Sequence, residues 1–144
     1  MLIRDLLKDQ VTLSVDIDQT VLEIAAMMVE HNIGAVPVLR GGLLVGIFSE
    51  RDLMSRVVVA GKDPARTLVR DVMTEDPLTI RPQDDLGTCM TLMRRHGFRH
   101  LPVCEGRDLK GVVSLRDLLL HDLDEKDDEV RMMRAYLHST PDAG

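Results

Sequence analysis

The chain is 144 residues long, 44% apolar, only 2% aromatic and formally −6 at neutral pH. That length suits one compact domain or two very small ones, with a core built from Val, Leu, Ile, Met and Ala rather than from rings. The acidic balance disfavours nucleic acid or anionic lipid as a broad partner, no apolar run approaches the ~20 residues of a membrane span, and Cys89 and Cys104 stand in no disulfide-framework or zinc spacing, which fits a reducing cytoplasm.

The first five residues, Met1-Leu2-Ile3-Arg4-Asp5, open a short helix and not a secretory leader, because an acidic residue follows at once and no long apolar stretch is present. Residues 12–15 read as an extended piece. Thr20 with Glu23 three positions on makes a capping box, and Val21, Ile24, Ala25, Met28 and Val29 recur behind it at helical spacing. That helix stops near His31, where Asn32 suits the left-handed C-terminal position. Two strands, 35–39 and 43–48, are expected to join over Gly41-Gly42, which supplies the positive φ of a tight hairpin. A helix then starts at Ser49. The second half runs the same way: an extended piece at 78–80, a helix closed by Gly97, strands at 101–104 and 109–113 around Gly106-Arg107-Asp108, and a helix from Ser114. After it, acidic residues cluster over 122–129. Val130, Met133 and Leu137 then share one face, so the spacing predicts a short amphipathic helix. A helix of that length is marginal alone and needs its own module or a second chain to dock on. Residues 139–144 are expected to fray.

The two halves are copies. At a shift of 65 positions, ten of the 23 residues from His31 to Leu53 are identical, among them Pro37-Val38 with Pro102-Val103, Gly46 with Gly111, Ser49 with Ser114, and Arg51-Asp52-Leu53 with Arg116-Asp117-Leu118. Upstream, Ile3-Arg4-Asp5-Leu6 pairs with Val69-Arg70-Asp71-Val72 at a shift of 66. Such register over so long a stretch marks an internal duplication. The expected architecture is an α/β (α+β) fold of tandem β-α-β-β-α repeats packed with pseudo-twofold symmetry. It divides into repeat 1 (1–62), repeat 2 (63–123) and a C-terminal helix with its tail (124–144). One unit of about 60 residues buries too little surface to be comfortable alone, and its short apolar strands need cover on both faces.

The residues that carry chemistry lie where the last strand of each copy enters its helix: Gly46-Ile47-Phe48-Ser49-Glu50-Arg51-Asp52 and Gly111-Val112-Val113-Ser114-Leu115-Arg116-Asp117. A strand feeding a helix presents backbone N–H groups to an anion. An Asp one turn on can accept from both hydroxyls of a ribose, and a Ser at the helix start can reach sugar or phosphate. The same Ser-x-x-Asp spacing is also an ordinary capping arrangement. The copies differ just upstream, with Gly34-Ala35 before Val36-Pro37 and Arg99-His100 before Leu101-Pro102. An Arg fork suits phosphate, so the two clefts are expected to be unequal, the one reached by Arg99 and His100 preferring the more anionic ligand. Arg51 and Arg116 face either the ligand or solvent. No nucleophile–base pair, Walker loop or His-Glu-x-x-His is present, so no enzyme activity and no catalytic cofactor are expected, and the Met residues are read as core filler.

With the Val-Pro-Val and Leu-Pro-Val strands, these segments resemble the CBS domain, the repeat named after cystathionine β-synthase. The likeness covers roughly residues 3–123 and both copies, as in a stand-alone CBS pair (Bateman module). It implies a regulatory, signal-transducing module that binds AMP, ADP, ATP or S-adenosylmethionine between the repeats. Asp52 and Asp117 would hold ribose, Ser49 and Ser114 would lie near sugar or phosphate, and the segments 34–37 and 99–102 would line the ligand. It also implies a homodimer acting on a separate regulated protein. The alternative is a structural or interaction module that dimerises or binds a partner protein without any ligand.

Overall fold

The computed structural model describes residues 1–7 and 10–138. In chain order it contains α1 (Ile3–Leu6), β1 (Val15–Asp16), α2 (Val21–His31), β2 (Ala35–Arg40), β3 (Leu43–Ser49) and α3 (Glu50–Asp52), which runs on as a π-helical segment Leu53–Val58. A 3₁₀ turn (Val69–Asp71), β4 (Thr74–Glu75), α4 (Leu86–His96), β5 (His100–Glu105), β6 (Asp108–Ser114) and α5 (Leu115–His138) follow.

The local signals act as expected from the sequence. Thr20 Oγ accepts from the Glu23 N–H at the start of α2, and Asp85 does the same for Thr88 at the start of α4. Asn32 closes α2 at φ 53°, and Gly97 closes α4 at φ 71°. The β2–β3 hairpin turns through Gly41 and Gly42, both at positive φ, and β5–β6 repeats its register down to the same irregularity after the Pro-Val pair.

Two cores form, one per repeat. The first gathers Val15, Ile24, Val36, Val38, Phe48 and Val57; the second gathers Ile80, Cys89, Met93, Leu101, Val113 and Leu118. The leading segments are exchanged between them. Ile3, Leu6 and Leu7 from the head of the chain pack into the second core, while Val69, Val72 and Met73 pack into the first. β4 accordingly adds to the sheet of repeat 1, giving the order β1-β2-β3-β4, beside a two-stranded β5-β6 sheet. Gly46 and Gly111 make the exchange fit. A Cβ on Gly46 would sit 2.5 Å from Met73 Sδ and 2.9 Å from the Thr74 carbonyl oxygen, and one on Gly111 would sit 2.7 Å from Leu7 Cδ2. The repeats meet along β3 and β6, with the Leu44 N–H donating to the Arg107 carbonyl at 3.0 Å. Each repeat thus completes the other, which answers the shortage of buried surface in a single unit.

The tail departs from its expectation. No separate short helix begins at the acidic cluster; α5 runs unbroken for 24 residues from Leu115 to His138. No Gly or Pro lies between those positions, so nothing stops the helix that Ser114 starts. The expected face is solvent-exposed at Val130 and Met133. The fraying expected at 139–144 lies outside the described residues. No helix of the described residues is long and apolar enough to cross a membrane.

Candidate functional site

The two strand-to-helix junctions begin alike and end differently. At both, the first helical N–H is already engaged: Glu50 N donates to the Gly34 carbonyl at 2.9 Å, and Leu115 N to the Arg99 carbonyl at 2.7 Å. At both, the serine hydroxyl accepts from the aspartate N–H, at 3.1 Å for Ser49–Asp52 and 3.0 Å for Ser114–Asp117. The first pair of bonds ties each helix start to the residue before β2 or β5, the second caps the helix, and together they leave fewer free N–H donors at the junction than a bare strand-to-helix turn offers.

In repeat 1 the aspartate is consumed. Asp52 is only 8% exposed. Its Oδ2 accepts from the Ser49 N–H at 3.0 Å and the Ser49 hydroxyl at 3.1 Å. Its Oδ1 accepts from the Thr74 hydroxyl at 3.3 Å and lies 3.7 Å from Arg56 Nε. Thr74 belongs to β4, so this carboxylate bridges the helix start and the exchanged strand. In repeat 2, Asp117 is half-buried, and its longest tie is a 3.4 Å bond from the Ser114 N–H.

Asp117 opens on a cavity of about 1200 Å³ between the repeats. Repeat 2 supplies Ser114, Arg116 and Asp117 from the junction and Arg99 and His100 from the strand before it; repeat 1 supplies Gly34, Ala35 and Pro37. Of the remaining residues singled out from the sequence, Ser49 is a cap, Arg51 is exposed away from this cavity, and Val36, Leu101 and Pro102 lie buried in the sheets. Lining residues not singled out for the site include Glu50, the segment 10–13, the α2 residues Ala25, Met28 and Val29, and Leu119 with Leu120 on α5. Glu50 is a mismatch between the copies, opposite Leu115, so a search for shared residues passes over it.

The electrostatics centre on His100. Burial lowers its pKa; Glu50 and Asp117 push back upward, and Arg99 adds to the lowering. The two thiols are inert: burial, helped by Asp84, raises Cys89 to about 11, and burial also raises Cys104. Among the described residues, no group of three or more His, Cys, Asp or Glu could hold a metal ion.

The CBS domain family model matches residues 3–59 and 69–124. The chain belongs to the CBS domain family. It is 34% identical over 121 residues to the CBS domain-containing protein YhcV of Bacillus subtilis, covering 84% of this chain and 85% of that one. It is 33% identical over 125 residues to the mitochondrial CBS domain-containing protein CBSX3 of Arabidopsis thaliana, covering 83% of this chain and 61% of that one. Among solved structures, the CBS-domain protein ATU1752 of Agrobacterium tumefaciens is 31% identical, with a TM-score of 0.77 over 85% of this chain and 99% of that one. Two more distant CBS structures share the fold and carry ligands of their own. The domain pair of MJ0100 holds 5′-methylthioadenosine and S-adenosyl-L-methionine (20% identity, TM-score 0.79, covering 87% and 98%), and CBSX2 holds AMP (24% identity, TM-score 0.75, covering 87% and 98%).

Proposed function

We propose that this CBS pair is a ligand-sensing regulatory module that takes one adenine nucleotide or adenosyl compound in the cleft at Asp117. The observation that carries the reading is the half-buried Asp117 carboxylate at the rim of a cavity of about 1200 Å³, somewhat larger than the usual small-molecule pocket of about 300–1,000 Å³. Apolar walls from Ala25, Met28, Val29 and Pro37 suit a base, Asp117 with Ser114 suits a sugar, and Arg99, His100 and Arg116 suit a phosphate. The ligands of MJ0100 and CBSX2 support an adenosine-based compound. Asp52, held by Ser49, Thr74 and Arg56, serves the scaffold in this reading, so one chain takes one ligand.

The module catalyses nothing and acts through a second protein in the cytoplasm. It works as a homodimer through the exposed apolar residues that the repeats place alike, Met54 on the π-helical segment and Leu119 on α5, with Val58 and Leu120 beside them. Ligand binding would bias one arrangement of the pair over another by its differential affinity. Calorimetric titration with adenosine, AMP, ADP, ATP and S-adenosylmethionine tests the reading. One-to-one binding to at least one of them is expected, abolished or weakened by Asp117→Ala. Absence of binding to all five, with a partner protein retained, would establish the ligand-free interaction module instead.

A further inference from the structure

The pseudo-twofold relation exposes a compensated divergence at the floor of the cleft. Positions 34, 35 and 50 of repeat 1 correspond to 99, 100 and 115 of repeat 2. One copy has Gly, Ala and Glu; the other has Arg, His and Leu. The acid in one half thus replaces an apolar residue, and the two basic groups in the other half replace the smallest side chains. In space these substitutions converge. A Cβ built on Gly34 would lie 3.2 Å from Glu50 Oε1 and 3.3 Å from His100 Cε1. The Glu50 carboxylate and the His100 ring therefore crowd the same point from opposite repeats, in the space that glycine leaves empty.

Among the described residues, the ionisable groups lining the cavity are Glu50, Asp117, Arg99, Arg116 and His100. Two carboxylates face two guanidiniums, so with His100 neutral the lining sums to zero, within a chain whose net charge is −6. Resting on the nucleotide reading above, we infer that Glu50 is the charge-selecting residue of the cleft: it admits nucleosides and nucleoside monophosphates and rejects polyphosphates. Arg99 and Arg116 can compensate a single phosphate. Further phosphates meet the Glu50 carboxylate, which lines the cavity beside Gly34 and His100. Glu50 is exposed, and its side chain carries no hydrogen bond of the junction, so its replacement leaves the fold intact.

The test is a charge series of adenosine, AMP and ATP, titrated in EDTA at low salt against the wild type, Glu50→Gln and Arg99→Gln. Wild-type affinity should fall from AMP to ATP. Glu50→Gln should raise ATP affinity about tenfold, AMP affinity less, and adenosine affinity not at all, because removing one like charge acts in proportion to ligand charge. Arg99→Gln should move the series the opposite way, and 0.5 M salt should shrink both effects. A Glu50→Gln shift equal for all three ligands, or no shift, overturns the inference while leaving the nucleotide reading in place. Failure of all three ligands to bind any of the proteins overturns the inference, and the nucleotide reading falls with it if ADP and S-adenosylmethionine fail as well.

Discussion

Ser49-Glu50-Arg51-Asp52 and Ser114-Leu115-Arg116-Asp117 share three residues of four, yet they hold their aspartates in different employment. Asp52 is turned inward by a hydroxyl on the exchanged strand β4 and by Arg56 one helical turn on. Asp117 is bonded to Ser114 and looks into the cleft. A motif of this kind provides a helix cap in either case; what surrounds the carboxylate decides whether capacity is left over for a ligand. Duplication supplies two capped junctions, and divergence around them leaves one carboxylate tied into the scaffold and the other facing the cavity.

The sharpest way to break that comparison is to remove each carboxylate in turn. Asp52→Ala orphans the Ser49 N–H and releases the Thr74 and Arg56 contacts at a site 8% exposed. The expected cost is about 2–4 kcal/mol in chemical denaturation, with ligand affinity kept in the folded fraction. Asp117→Ala loses a weaker cap, about 1 kcal/mol, and about tenfold or more in ligand affinity by calorimetry, since a buried hydroxyl partner is lost. Equal stability losses with equal binding losses would abolish the distinction.

The glycines under the exchanged segments give a smaller contrast. In Gly46→Ala the new methyl meets a sulfur at 2.5 Å and a backbone carbonyl oxygen at 2.9 Å; the sulfur can swing aside but the carbonyl cannot. In Gly111→Ala it meets only the Leu7 side chain, which can change rotamer. Melting should report about 1–3 kcal/mol lost for Gly46→Ala and under about 1 kcal/mol for Gly111→Ala. The reverse order would mean that Leu7 is held more rigidly than β4.

Much of this was legible in the chain itself. The duplication, the capped helix starts, the Gly41-Gly42 turn and the left-handed Asn32 are local or periodic signals, and local physics decides them. The difference between Arg99-His100 and Gly34-Ala35 was visible too, but the expectation that it separates two clefts was not met: both segments line one cavity. Four features were not legible. A repeat alignment places Ile3–Leu7 with the first copy, and only packing reveals that these residues cap the second core. Glu50 is invisible to a comparison that looks for shared residues, because its importance lies in being unshared. The unbroken α5 was hidden by a dense acidic cluster, which looks like the start of a second helix after the one from Ser114. The different fates of Asp52 and Asp117 depend on Thr74, 22 positions away in sequence, which no motif could reach.

The smallest expected effect sharpens the comparison from the side of His100, whose counterpart in the first repeat is Ala35. Burial holds His100 below the ordinary imidazole pKa, against the upward pull of Glu50 and Asp117. The unfolded chain therefore binds this proton more tightly than the folded one. As pH falls through the ordinary imidazole value toward the lowered one, the unfolded state takes up the proton first and stability drops; above that window His100 contributes no slope. Denaturation of the wild type and His100→Gln at pH 7.5 and 5.5 isolates the effect, since all other titrating groups are common to both. The wild type should lose more stability over that interval than the variant. Bound AMP should shrink or reverse the difference, because a phosphate beside the ring favours its protonated form, whereas adenosine should leave it unchanged. Identical pH profiles for the two proteins would mean that the imidazole is as well solvated in the cleft as in the unfolded chain, and that this half of the site carries no hidden charge.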